Sequence, residues 1–242
     1  TNTGGIKIYG NSTFRDLNIN SPNKVYAYND TLIESLDIDD GATFIAPSGT
    51  LTLYGENPSG YALDNDGTFT ASSGLVNFTD TGNTVSVDLV GTGNVYDVEI
   101  ASGDLVAIQD VDTVIDNDVT ITSGTFRSGS GDYINLTVTG DVSVSGTFGD
   151  GGTSMFGSSV LLGSLTINSG GIYNATNGTA YITSRSASLD GIDAKTGSTF
   201  THNNGTVNMT GSPGVRFLDM QAGDSFYNFI QDSASKTSAN YA

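Results

Sequence analysis

Short alternations of apolar and polar residues recur along this chain, each closed by a glycine and reopened by an aromatic residue. Val119-Thr120-Ile121 leads to Gly124-Thr125-Phe126, and Val142-Ser143-Val144 to Gly146-Thr147-Phe148. Leu165-Thr166-Ile167 leads to Gly170-Gly171-Ile172-Tyr173, and Leu218-Asp219-Met220 to Gly223-Asp224-Ser225-Phe226. Earlier copies are Leu36-Asp37-Ile38 before Gly41-Ala42-Thr43-Phe44, and a bare Gly67-Thr68-Phe69. A period of two puts alternate side chains on opposite faces of a strand, so Leu136 and Val138 point inward while Thr137 and Thr139 point out. No stretch keeps apolar residues at helical spacing over several turns. The glycines at 124, 146, 170, 197 and 223 step by about 22 to 27 residues, the length of a solenoid coil. A unit of that size cannot bury its own apolar face and must stack on its neighbours. The pattern predicts an all-β solenoid with coils of about 22–27 residues. Because alternation does not fix strand direction, repeats of an antiparallel β-sandwich are the alternative.

A longer phrase lies over the short one. Thr68-Phe69-Thr70-Ala71-Ser72-Ser73-Gly74 matches Thr199-Phe200-Thr201-His202-Asn203-Asn204-Gly205. Each copy is followed, after a variable loop, by an aromatic strand: Val95 to Ile100, and Phe226 to Ile230. A third strand of that type begins at Phe14. These phrases resemble the parallel β-helix repeats of large secreted and surface proteins of bacteria, archaea and their viruses, over most of residues 10–232. The resemblance implies a right-handed parallel β-helix. It places the chain among adhesins, filament and fibre components, phage spikes and some polysaccharide lyases. Arg127, Arg185 and Arg216 stand isolated in sequence, so no lyase residue carries over.

The expected organisation is a cap or irregular coil over 1–35, solenoid coils over 36–232, and a polar tail over 233–242 leading into a missing flank. The opening at Thr1 rather than Met suggests a processed protein or an excerpt of a longer one. The most irregular stretch, Asn57 to Asp66, is a Pro/Gly/Asn loop expected to leave the solenoid. Phe44, Phe69, Phe126, Phe148 and Phe200 are expected to stack in one core ladder.

Composition narrows the function. Of 242 residues only 14 % are charged, with 26 acids against 8 bases and a net charge of −18. The bases are scattered, so no phosphate-binding cluster forms, and nucleic acid and direct membrane insertion are not expected. Cysteine is absent, which removes disulfides, thiolate metal sites and a Cys nucleophile. His202 is the single histidine and sits where the other copy of the phrase has Ala71, so His-based metal or triad chemistry has no second member.

Two acidic groups are candidate calcium ligands: Asp37, Asp39 and Asp40, and Asp110, Asp112, Asp116 and Asp118. The competing reading is a solvated acidic turn. No other cofactor is expected. Glycosylation acceptor patterns occur at Asn11, Asn29, Asn77, Asn135, Asn174, Asn177, Asn204 and Asn208. The expected function is a non-enzymatic extracellular structural protein, a segment of a self-assembling filament, fibre, sheath or adhesin on a cell or virion surface. Its partners would be copies of itself, joined head to tail or laterally, and surface glycans. The alternative is a carbohydrate-binding or carbohydrate-cleaving spike-like β-helix. That reading calls for a groove with carboxylates and exposed aromatics such as Tyr54, Tyr61, Tyr173 or Tyr181.

Overall fold

The computed structural model describes residues 4–79, 84–101, 105–109, 111–129, 134–150, 156–183, 190–210, 215–232 and 236–241. These residues form 26 strands and no helix. The strands stack as a parallel β-solenoid of about eight turns. Each coil pairs with the one before and the one after. Val76, Val98, Val119, Val142, Leu165, Ile192 and Leu218 therefore occupy successive rungs of one inner column. All seven are buried. Burying each such side chain contributes roughly 1.5–3 kcal/mol, and the coil has no core without its neighbours. Every named strand pairing among the described residues is parallel, which removes the antiparallel sandwich. In a βαβ protein parallel strands need helical crossovers, whereas here the chain simply continues around the coil to the next rung.

The coils are not uniform. Thr13 pairs with Leu32 in a short coil, whereas Leu165 pairs with Ile192 in a much longer one. The short coil falls below the range expected from the glycine spacing. Here strands such as Ser12–Ile19 and Thr31–Ile38 run around a corner with no intervening loop. These two pair in parallel along their length. At the other end, Lys236–Tyr241 pairs in parallel with Val215–Met220.

The long phrase folds alike in both places. Ser72 and Ser73 have φ of 50° and 59°, and Asn203 and Asn204 have 46° and 61°. Two consecutive left-handed residues make the corner, and Asn or Ser tolerates that conformation better than a β-branched residue. The two copies nevertheless stand on different faces. Phe44 and Phe69 pair in a four-stranded sheet with Ile6–Ile8 and Lys24–Ala27. Phe126, Phe148, Tyr173 and Phe200 pair in a column that continues from Val106.

The expected single ladder is thus two stacks. Phe44 and Phe69 lie 5.9 Å apart. The second stack steps from Phe126 to Phe148 at 5.8 Å, to Tyr173 at 5.3 Å, to Phe200 at 5.6 Å and to Phe226 at 5.4 Å. The break has a local cause. The rung after Phe69 carries Gly91-Thr92-Gly93, and Thr92 bridges back to Thr68 while Val95 bridges on to Ile115. A Cβ at Gly93 would lie 1.7 Å from the Phe69 carbonyl oxygen, at φ +103°. The backbone crosses there too closely for any side chain, so no aromatic follows Phe69 and the repeat slips by one face.

Candidate functional site

The acids seldom meet Lys or Arg. They meet amide and hydroxyl side chains one coil away. Asn18 donates to Asp37 at 2.8 Å and Asn20 to Asp39 at 2.6 Å. Asn94 donates to Asp116 at 3.0 Å and Asn117 to Asp97 at 2.8 Å. Asn135 gives both its backbone and its side-chain N–H to Asp112, at 2.7 and 2.9 Å. Asp118 accepts the Asp141 N–H at 2.8 Å, and Ser164 donates to Asp141 at 2.8 Å. These charge-assisted bonds tie consecutive coils together along the outside of the rod. The sequence signal is an Asn or Ser about one coil length from an Asp, as with Asn18 and Asp37.

Consequently Asp112, Asp116 and Asp118 do not converge, each carboxylate being engaged by a different neighbour. Asp110 lies outside the described residues. Among the described residues no group of three or more His, Asp or Glu stands close enough together to hold a metal ion. Asp37 and Asp39 join a different set. Parallel register stacks Asp37, Asp64 and Asp88 on successive rungs. Burial, then the charges of Asp37, Asp66, Asp88 and Asp39, push Asp64 up to about 6. Asp37 is likewise raised, by burial first and then by Asp39 and Asp66. Asp40 is exposed and stands apart from this row's hydrogen bonds.

His202 is engaged locally. Its Nδ1 accepts the Asn204 N–H at 3.0 Å, and its ring stacks on Tyr227 at 5.7 Å. Of the glycosylation candidates, Asn208 is buried and Asn77 is half-buried, its side-chain oxygen enclosed without a partner among the described residues. Asn135 and Asn174 spend their side chains on neighbouring coils. Asn11, Asn29, Asn177 and Asn204 are exposed. Tyr173, expected on a binding face, is instead a buried rung of the aromatic stack. Arg185 lies outside the described residues, as does the side chain of Arg216, and Arg127 donates to the Ser128 carbonyl at 2.6 Å.

One polar cleft does form, under the loop that breaks the repeat. It has a volume of about 700 Å³ and is lined by Arg15, Asp16, Glu34, Tyr54, Glu56 and the turn 57–60. A smaller hollow of about 280 Å³ adjoins it through Asp16 and 57–59, and reaches Asn18 and Asp37. The loop is held by its own first residue. The Asn57 side chain accepts the Ser59 and Tyr61 N–H groups at 2.9 and 3.0 Å. Arg15 bridges Glu34 at 3.3 Å and Asp16 at 3.8 Å, and Ser35 donates to Asp16 at 2.9 Å. The Tyr54 hydroxyl donates to the Phe14 carbonyl at 3.1 Å. A Cβ at Gly55 would lie 2.6 Å from Glu34 Cγ, so a larger residue there would displace the glutamate side chain. The cleft offers carboxylate acceptors, one guanidinium and an aromatic edge. That set suits a hydroxyl-rich ligand better than an apolar or anionic one. Compared with known proteins, the chain matches no family model, no curated protein and no solved structure.

Proposed function

We propose that this chain is a non-enzymatic structural protein of an extracellular surface, a rod that assembles with copies of itself into a filament, fibre, sheath or adhesin. The observation that carries this reading is the unbroken parallel stacking of coil on coil, a rod held along its length by continuous backbone ladders. The polar chemistry supports the same reading, because most described acids act as ties between coils rather than as a converging reactive set. Electron microscopy and sedimentation velocity of the purified chain, with and without calcium, test it. Ordered polymers or a lattice are expected; a monodisperse monomer at all concentrations refutes it.

The cleft beside Tyr54 favours a second reading, recognition of a neutral glycan. Isothermal titration with uncharged oligosaccharides tests it, with Glu34→Gln expected to weaken any binding at least tenfold. No heat of binding across a broad panel would dismiss that reading.

A further inference from the structure

We propose that Tyr9 and Tyr28 form an oxidative modification site, at which a one-electron oxidant joins the two phenol rings by a carbon–carbon bond and staples one coil to the next. The bond forms within a single chain, so it does not require self-assembly.

The backbone sets the pair. Ile6–Ile8 and Lys24–Ala27 run in parallel with Ile8 opposite Ala27, which brings Tyr9 beside Tyr28 one residue further on. The Tyr28 N–H donates to the Ile8 carbonyl at 3.1 Å, and the Gly10 N–H donates to the Asn29 side chain at 2.9 Å. The chain is therefore tied across the two coils at the tyrosines and just beyond them. Neighbouring strands lie about 4.7–4.9 Å apart. The two ring centroids lie 4.9 Å apart with planes 7° from parallel, so the rings repeat at the rung spacing. The Lys7 ammonium stands 6.0 Å from the Tyr28 ring and helps hold it in place. The contact lies on the side of the rod between two paired strands, and it is independent of what adjoins them along the axis.

Exposure and ring chemistry single this pair out. Tyr9 and Tyr28 are 64 % and 47 % exposed, open to an oxidant in solution. In the long aromatic stack Tyr173 is buried and meets Phe148 and Phe200, which carry no phenol to couple. Tyr26 also meets Tyr28, but at 6.3 Å and from the same strand end. A bond between positions 9 and 28 closes a loop through two coils. It restricts the unfolded chain as a disulfide would, in a sequence that has no cysteine.

The oxidant is of the class of a haem peroxidase with hydrogen peroxide. Each phenol gives up one electron and its hydroxyl proton, leaving a radical with spin on the ring carbons beside the oxygen. Side-chain rotation in exposed residues, on the order of nanoseconds or faster, closes the distance between those carbons. One Cε of each ring then joins the other in a new carbon–carbon bond. The hydrogen on each joined carbon moves to its own oxygen and restores the phenol. Two electrons and two protons leave in all, and one hydrogen peroxide takes them up as two water molecules.

The test treats the purified chain at low concentration with a haem peroxidase and hydrogen peroxide, then separates single chains by denaturing electrophoresis. Peptide mapping by mass spectrometry is expected to find the Tyr9 and Tyr28 peptides joined, lighter by two hydrogen atoms than their sum, with dityrosine fluorescence. Tyr9→Phe and Tyr28→Phe should each abolish the link, and Tyr26→Phe should keep it. Each swap removes only a hydroxyl from an exposed or half-buried ring, so the fold is kept. Hydrogen exchange across Ile6–Ile8 and Lys24–Ala27 should slow about tenfold or more in the linked chain. Links found only between chains or only between Tyr26 and Tyr28, or tyrosines oxidised without coupling, would overturn the site. A Tyr9–Tyr28 link that left exchange unchanged would overturn the staple.

Discussion

Phe148 and Phe44 carry the same side chain on the same short phrase, and their substitution by alanine separates the two aromatic stacks. Both are fully buried, at 1 % and 0 % exposure. Loss of a buried phenylalanine costs about 3–5 kcal/mol through lost transfer energy and the cavity left behind. The ring environments differ. Among the described residues, the Phe148 ring meets Phe126 at 5.8 Å, Phe156 at 5.4 Å and Tyr173 at 5.3 Å, whereas the Phe44 ring meets one other aromatic ring, Phe69, at 5.9 Å. Each tilted or offset ring pair adds about 0.5–1.5 kcal/mol beyond area, so two further pairs make Phe148→Ala the costlier change by about 1–3 kcal/mol. Stacked coils can open locally, so a global midpoint alone could mislead. The assay is urea unfolding followed by far-ultraviolet circular dichroism, paired with hydrogen exchange at the strands Thr147–Phe148 and Ile172–Asn174. Equal losses, or a larger loss for Phe44→Ala, would refute the claim that the long stack is the stronger.

Three further outcomes follow from the same structure. The Tyr173 hydroxyl is buried with no hydrogen-bond partner among the described residues, and its ionisation is pushed upward by burial. Tyr173→Phe should therefore be neutral or stabilising by up to ~1 kcal/mol in denaturant unfolding, and a loss above that would show that the hydroxyl has a partner after all. Asp64 titrates at about 6 in the fold, above its ordinary value of 3.8, so the folded chain binds more protons than the unfolded one across that window. Stability should accordingly rise as pH falls from about 6 to 4. The gain is ~1 kcal/mol once solvent screening of this partly exposed group is discounted, and Asp64→Asn should remove it; melting curves across that range decide. Gly93→Ala forces a side chain onto the Phe69 carbonyl at positive φ. A loss of at least ~2 kcal/mol in chemical unfolding is expected, and a native-like variant would show that the crossing has room.

Much of the architecture was legible because it is written locally. Alternation, corner glycines and the spacing between them depend on residues near one another in the chain, and they specify strands, corners and coil length. The matched phrases at 68–74 and 199–205 fold into matched corners, each with a pair of left-handed residues. What the sequence could not state was the face on which each phrase would stand. A residue count fixes the distance to the next rung only if the path is known. The glycine crossing at Gly91 to Gly93 shifts that path by one face and divides the phenylalanines into two stacks.

The chemistry of the polar residues shows the same division. Net charge, the missing cysteines and the lone His202 are properties of the list of residues, and they bound the chemistry before any fold is known. Proximity is not such a property. Asp110 to Asp118 look like one cluster because they are neighbours along the chain, but successive residues of a coil diverge around its perimeter. Asp37, Asp64 and Asp88 meet because parallel register stacks residues from three different coils. The cleft under residues 54–60 arises for the same reason. Local pattern and composition determined which elements form; only the tertiary stacking, through register and coil length, decided which side chains share a surface.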